Sequence, residues 1–361
     1  MRMPNDRWRT RVARALLAFW DERRRDLPWR CDTDAYRIWV SEIMLQQTRV
    51  EAVIPYYERW MARFPTLAAL AAAPIDDVLL VWQGLGYYGR ARNLHRAARK
   101  VMMERAGRLP RDAAALREIP GIGDYTAGAI ASIAFGKAVP AVDGNVRRVL
   151  ARLLDVADPA PRRVREVAAA LVPRSRPGDF NQAMMELGAT VCTPRAPGCA
   201  ACPLLGLCRA ARNGTQHERP ARRSARAVPA YDVGCAILLT VGGRMLLVRR
   251  PARGLLAGLW EFPGAVPRPG ESLRRAAARA AREAGTRVDG RTARALGCVP
   301  HAFTHRKETY HAFRFWLSEE TPMPVRSGQT WAFPSEFPTL PLPTAQRRIA
   351  ALLRNGNEGR S

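Results

Sequence analysis

The chain has 361 residues, long enough for two or three domains with cores of their own. Lys plus Arg number 58 against 32 Asp plus Glu, and the net charge of +26 points to a polyanion, DNA or RNA before others. A preference for Arg over Lys explains the choice of base but not the excess over acids. The first thirty residues are charged, so no signal peptide is expected, and no stretch approaches the roughly 20 apolar residues of a membrane span. The expectation is a soluble monomer of the cytoplasm, where thiols stay reduced.

Apolar residues recur at helical spacing in Val12–Trp20, Tyr36–Gln47, Val50–Phe64, Ile75–Gln83, Ala91–Met103, Thr126–Phe135, Val146–Leu154, Val164–Leu171 and Phe180–Gly188. Turns bearing Pro or Gly separate these short segments, which predicts an all-α core over 1–209. Cys192, Cys199, Cys202 and Cys208 close it with the spacing C-x6-C-x2-C-x5-C. Four such thiolates can hold a zinc ion or a [4Fe–4S] cluster. Zinc sites usually show two short pairs, and only Cys199/Cys202 forms one. Chance disulfides are disfavoured in a reducing compartment. Cys31, Cys235 and Cys298 are isolated and read as buried packing residues.

Residues 210–229, rich in Arg, Ser, Pro and Asn, suit an exposed linker. Beyond it, Val233–Thr240 and Arg244–Arg249 flank Val241-Gly242-Gly243 as a hairpin. Ser272–Ala284 reads as a helix rich in Ala and Arg, and Tyr310–Leu317 as a strand, so 230–355 is expected to be an α+β domain.

Three places in the helical part carry chemistry. Ile119-Pro120-Gly121-Ile122-Gly123-Asp124-Tyr125-Thr126 is a glycine turn feeding a helix, able to bring bare N–H groups to a phosphate oxygen. Asp143 stands just before a helical run, where accepted backbone N–H bonds keep a carboxylate low in pKa and anionic. Such an anion would stabilise a sugar developing oxocarbenium character. Glu42 is the only acid between Ala35 and Val50, and its helical neighbours Ile38 and Leu45 are apolar. Burial there raises its pKa and keeps a proton available for a leaving group.

The glycine turn with its downstream Asp143 resembles the helix-hairpin-helix motif of the DNA glycosylase superfamily that includes endonuclease III, and the cysteine spacing resembles that superfamily's [4Fe–4S] loop. Ser41-Glu42-Ile43-Met44-Leu45-Gln46-Gln47-Thr48, Gly84-Leu85-Gly86-Tyr87-Tyr88, Leu27-Pro28-Trp29-Arg30, Asp143-Gly144-Asn145-Val146 and Phe180-Asn181-Gln182-Ala183 narrow the likeness to the adenine DNA glycosylases, the MutY family. The resemblance covers essentially the whole chain. It implies base excision repair, in which adenine opposite 8-oxoguanine or guanine is flipped out and cut from its sugar. Glu42 is then the acid protonating adenine N7, and Asp143 the carboxylate facing the oxocarbenium ion. Tyr125 and Asn145 support the catalytic site, while Arg25, Trp29, Leu45 and Gln182 line the adenine pocket. Gln47, Thr48, Leu85 and Tyr87 meet the lesion pair, and Gly121 and Gly123 the DNA backbone. The four cysteines would hold a [4Fe–4S] cluster whose loop presents Arg195, Arg209 and Arg212 to phosphates. Relatives that also cleave the strand carry a lysine at position 125; Tyr125 therefore implies a monofunctional enzyme.

Gly254 to Gly264 resembles the entry to a Nudix domain. In Nudix hydrolases the following helix binds Mg²⁺ through several carboxylates. Here only Glu283 matches, and Arg279 and Arg282 fall where two carboxylates belong, so no pyrophosphohydrolase is expected. The arginines of this helix (Arg274, Arg275, Arg279, Arg282) read equally as a solvated face or a phosphate track. The resemblance makes this domain a reader of 8-oxoguanine through Phe303-Thr304-His305, with Thr304 where the family pattern has Ser. The alternative is an endonuclease III-like glycosylase and abasic-site lyase on oxidised pyrimidines; the missing lysine and the added domain argue against it.

Overall fold

The computed structural model describes residues 5–221, 227–317 and 325–355, so part of the expected linker lies outside the described residues. The chain divides into two compact units, Met1–Ala72 with Asn93–Ser224 and Ala73–Arg92 with Ala225–Ser361. No helix among the described residues is long and apolar enough to cross a membrane.

Helices account for the first part of the chain: α1 (Asp6–Arg23), α2 (Ala35–Leu45), α3 (Val50–Arg63), α4 (Leu67–Ala72), α5 (Ile75–Val81), α6 (Gly89–Arg105), α7 (Ala113–Arg117), α8 (Asp124–Ile133), α9 (Gly144–Leu153), α10 (Pro161–Leu171), α11 (Pro177–Thr190) and α12 (Arg209–Arg212). Their starts follow from side-chain caps. Asn5 accepts from Trp8 N, Asp34 from Arg37 N, and Asp112 from the backbone of Ala114 and Ala115. One stripe of α1, Val12, Leu16, Phe19 and Trp20, is buried against α9, α10 and α11. The α2 helix packs on α8 and is buried along nearly its whole length. It ends at Leu45, two residues before the expected Gln47, because Gln47 turns into the left-handed region at φ 58°.

The turn between α7 and α8 needs glycine once. Gly121 has φ 83°, and a Cβ there would meet Asn93 Cβ at 2.9 Å. Gly123 is extended at φ −91° and serves as the N-cap of α8. Gly188 on α11 has another purpose: a Cβ would come within 2.6 Å of Asn145 Cβ, so its bareness lets α11 back directly onto the start of α9.

The first half of the expected linker is tied down. Asp155 accepts hydrogen bonds from Asn213 Nδ2, Thr215 Oγ1 and Arg219 Nε, and Ala221 N donates to Ala157 O.

The second unit is built on a mixed seven-stranded sheet of β1 (Ala230–Thr240), β2 (Met245–Arg249), β3 (Trp260–Glu261), β4 (Gly264–Ala265), β5 (Arg294–Ala302), β6 (Lys307–Leu317) and β7 (Gln329–Ala332). The path runs β3-β2-β1-β6-β5, with β4 on β1 and β7 on β2. Among the described residues only the β1–β6 pairing is parallel, in register from Ala230↔Lys307 to Thr240↔Leu317. Helix α13 (Leu273–Glu283) covers one face, where Ala277, Ala278 and Ala281 meet Ala236, Leu238 and Phe315. Helix α14 (Thr344–Asn355) covers the other, where Ala345 and Ile349 meet Cys235, Ile237 and Leu239. Burial on both faces explains the unbroken apolar run of β1. Cys235 is buried as expected, but Cys31 and Cys298 are exposed. Cys31 follows a one-turn 3-10 helix, and Cys298 sits on the edge strand β5.

Residues 73–92, expected in the helical part, belong to this second unit. Arg249 pairs with Asp76, Gln83 Nε2 donates to Leu342 O at 2.6 Å, and Arg92 Nη1 donates to Ala257 O at 2.5 Å.

Candidate active site

An open cavity of about 840 Å³ in the helical unit brings together Glu42, Tyr125, Asp143 and Asn145 with Arg25, Trp29, Leu45, Gln47, Thr48, Gly121, Gly123 and Gln182. Residues drawn from α2, α8, α9 and α11 thus meet in one place. The same cavity includes Arg30, Gln46, Arg148, Met185 and Glu186, which sequence reasoning did not place in the site.

Glu42 is only 6% exposed. Tyr125 Oη donates to its Oε2 at 2.5 Å. Burial pushes the Glu42 carboxyl up to about 7; the Tyr125 bond pulls it back, Asp143 adds to the rise, and Arg30 opposes it. Burial, and then the charge of Glu42, holds the Tyr125 hydroxyl well above its ordinary value, so it is a donor and not a phenolate. Met185 Sδ lies 3.2 Å from the same hydroxyl, but a thioether is a weak acceptor beside a carboxylate.

Asp143 caps α9: Oδ1 accepts from Val146 N at 2.7 Å, and Oδ2 accepts from Asn145 Nδ2 at 2.8 Å. The cap position is as expected, but the low pKa is not. Burial raises this carboxyl, and the bonds from Val146 and Asn145 only moderate the rise. Arg148 anchors Asn145 by donating from Nη2 to Asn145 Oδ1 and Gly188 O, both at 2.7 Å, and from Nε to Cys192 O at 2.8 Å.

The far wall of the cavity is an ion cluster. Glu186 is 1% exposed and accepts from Arg25 Nε at 2.6 Å, Arg25 Nη2 at 3.1 Å and Arg30 Nη2 at 2.8 Å. Burial alone would raise this carboxyl, yet the two guanidiniums together hold it below its ordinary value. Burial lowers Arg30 in turn. A sequence signal did exist, since Glu186 stands alone in Ala183-Met184-Met185-Glu186-Leu187, an acid on a buried helical face.

Leu85, Tyr87, Phe303, Thr304 and His305 are not part of this cavity; all five belong to the second unit. Tyr87 is 43% exposed at φ 48°, whereas Leu85 and Tyr88 are buried. Thr304 and His305 are exposed in the turn between β5 and β6, which Phe303 N closes on Arg306 O at 2.8 Å. The Tyr87 and Thr304 hydroxyls lie 2.5 Å apart, so the two sequence-expected contacts form one hydrogen-bonded pair.

Cys192, Cys199, Cys202 and Cys208 are free thiols lining one small cavity, beside Arg152 and Gln216. Burial first, and neighbouring thiolates with it, push Cys202 up to about 11 and also raise Cys208. A cationic group held among them reverses that push. Arg152, itself 2% exposed, donates to Cys192 Sγ at 3.2 Å. Among the described residues, no group of three or more Cys, His, Asp or Glu side chains is arranged to hold a metal ion. Arg195, Arg209 and Arg212 are exposed on this loop and on α12.

On α13, Arg279 grips Glu271 with Nε at 3.1 Å and Nη2 at 2.9 Å, and Glu283 with Nη1 at 3.2 Å. The carboxylate that matches the Nudix pattern is thus bound to one of the arginines that replace its partners.

Residues 40–174 match the family model of the HhH-GPD superfamily base excision DNA repair proteins, and residues 234–352 match that of the NUDIX domain. The human adenine DNA glycosylase is 40% identical over 96% of this chain and 74% of its own. That of Mycolicibacterium smegmatis is 48% identical over 52% of this chain and 66% of its own. Among solved structures, a thermostable thymine-DNA glycosylase superposes with a TM-score of 0.54 at 31% identity, covering 58% of this chain and 98% of that one. A helical HhH-GPD unit followed by a Nudix-like sheet, with the human relative matching 96% of the chain, makes the chain a member of the adenine DNA glycosylase family of base excision repair enzymes.

Proposed function

We propose that this enzyme binds duplex DNA as a monomer at the bacterial nucleoid and hydrolyses the N-glycosidic bond of adenine paired with 8-oxoguanine or guanine. The observation that carries the reading is the pair of carboxyls facing one cavity, with Glu42 raised to about 7 and touched by Tyr125. Adenine leaves poorly as an anion, so a proton must reach it as the bond breaks. Glu42 in its acid form donates that proton to N7. The C1′–N9 electron pair passes to the base, and the sugar becomes an oxocarbenium ion. Asp143, fixed by Val146 and Asn145, faces that cation as an anion. Water then adds at C1′ and gives up a proton to the carboxylate left on Glu42, which restores the acid. Arg25, Trp29, Leu45 and Gln182 hold the flipped base, with the Glu186 cluster fixing the position of Arg25.

Among the described residues no lysine lines the cavity, which supports base release without strand cleavage. The reader of 8-oxoguanine is the Phe303-Thr304-His305 turn together with Tyr87. The four cysteines would hold a [4Fe–4S] cluster. Their placement around a shared cavity supports that group, which would fold the loop bearing Arg195, Arg209 and Arg212. Residues 210–229 join the glycosylase part to the reader.

Duplexes with A:8-oxoguanine, A:G and A:C, assayed for free adenine with the parent and Glu42→Gln, test the reading. Release from the first two by the parent alone is the expected result. No release from any duplex overturns the function, and equal release by both proteins overturns the acid. Stoichiometric borohydride trapping on an abasic strand would show a lyase instead.

A further inference from the structure

The arginines of α13 do not behave as one group. Arg279 is spent inside the protein on Glu271 and Glu283. Arg274, Arg275 and Arg282 are exposed and form no ion pair among the described residues. The Ala276–Ala278 and Ala280–Ala281 face packs on the sheet, so these three guanidiniums are thrown outward, where they line an open cleft of about 770 Å³ with Arg291. Ser272 caps α13, so the positive end of an 11-residue helix opens on the same cleft. Its two acids are neutralised: Glu271 by Arg279, and Asp289 by Arg291. A solvated helix face normally mixes signs, because like charges crowded on a helix repel. Unpaired arginines around a concavity are the arrangement that an anion relieves.

We propose that this cleft, walled by Arg274, Arg275, Arg282 and Arg291, is a second DNA contact that seats phosphodiester groups of duplex DNA. It lies on the helix where a Nudix hydrolase would gather carboxylates for a cation, and it shares Arg282 with that pattern. The choice of duplex DNA as the source of phosphate rests on the glycosylase reading and on the net charge of +26. Each phosphate contact steepens the fall of log K with log salt by about 0.9.

The test is that slope, measured on undamaged duplex with the full-length protein. Replacing Arg274, Arg275 and Arg282 together by Ser should reduce it by about 2–3. A control with Arg7, Arg11 and Arg14 of α1 replaced by Ser removes the same charge from exposed positions elsewhere. Circular dichroism and melting confirm that both variants fold. A slope unchanged in the α13 variant, or reduced no more than in the α1 control, overturns the contact. Binding of ADP by the parent that the α13 variant loses, with the DNA slope intact, assigns the cleft to a free nucleotide and also overturns it. Undamaged duplex yields no adenine, so failure here is separate from failure of the glycosylase reading.

Discussion

Two glutamates show how differently the two units treat the same side chain. Glu42 sits inside the helical unit, where burial lifts it to about 7 and a tyrosine hydroxyl touches it. Glu271 sits at the surface of the sheet unit, where the Arg279 fork pulls it down to about 2. Glu42 can exchange a proton near neutral pH, and Glu271 cannot. Two raised carboxyls, Glu42 and Asp143, line the cavity of the first unit beside Glu186, which two arginines hold low, whereas on the Nudix-like helix Glu283 is bound to Arg279. On the proposed reading, acid chemistry belongs to the helical unit and charge recognition to the other.

Replacing Glu42 by Gln should break this contrast most severely. Loss of the acid is expected to slow adenine release by about 10²–10⁴-fold in single-turnover assays, with duplex binding retained. In the parent, the release rate should fall as pH rises through about 7, because only protonated Glu42 donates. Stability should follow the same group. The folded carboxyl binds its proton more tightly than the unfolded one, so the native state is favoured below the ordinary glutamate value and loses that advantage as pH rises to about 7. Glu42→Gln should therefore melt above the parent at pH 8, a difference of about 3 kcal/mol, and the gap should close by pH 4. A gap that widens on acidification contradicts the buried, raised carboxyl.

Asp143→Asn ranks next. The amide keeps the size of the cap but removes the anion facing the sugar, and a rate lower by about 10²–10³-fold is expected. Since Asn is also a good N-cap, the melting temperature should move little. A large drop in stability with near-normal release would make Asp143 a cap alone.

Much of this site was legible in the sequence because it depends on local pattern. Glu42 among apolar helical neighbours and Asp143 ahead of a helix both stand where such patterns put them. What stayed hidden depends on residues distant in sequence. Glu186 is 156 positions from Arg30, and no local pattern links them. The raised pKa of Asp143 comes from burial by the fold, which outweighs the backbone bonds that its position foretold. Cys31 and Cys298 illustrate the reverse, since isolation from other cysteines says nothing about cover. In the sheet unit, the double-sided burial of β1 was readable as an apolar run. The edge strand β5 was not, with Gly297 and Pro300 interrupting a largely exposed segment. Helix α14 follows Pro338, Pro341 and Pro343, and its apolar spacing emerges only at Ile349.

Tyr125→Phe gives a smaller but sharper test of the acid. The Tyr125 bond lowers Glu42, so its removal should move the inflection of the pH–rate profile above its parental position near 7. The ring still fills its place, and the loss in rate at pH 6, where Glu42 is protonated in both proteins, should stay under about tenfold. An inflection that does not move means that the hydroxyl does not govern the acid.

The smallest effect is expected at the reader. Thr304→Val removes the hydroxyl that meets Tyr87 while preserving shape, and Thr304→Ser keeps the hydroxyl while removing a methyl. A neutral hydrogen bond contributes about 0.5–1.5 kcal/mol, or roughly 2- to 12-fold. The Val variant should therefore lose a few-fold of the preference in kcat/KM for A:8-oxoguanine over A:G, and the Ser variant should retain it. Because the pair lies outside the cavity that holds Glu42, single-turnover release at saturating enzyme should change less than the preference does. If Val and Ser behave alike, the hydroxyl contact has no part in discrimination, and the added methyl is what separates this chain from the Ser pattern. If Val slows release as severely as Asp143→Asn, the division of labour between acid and reader is wrong, because a contact in the sheet unit would then govern chemistry in the helical one.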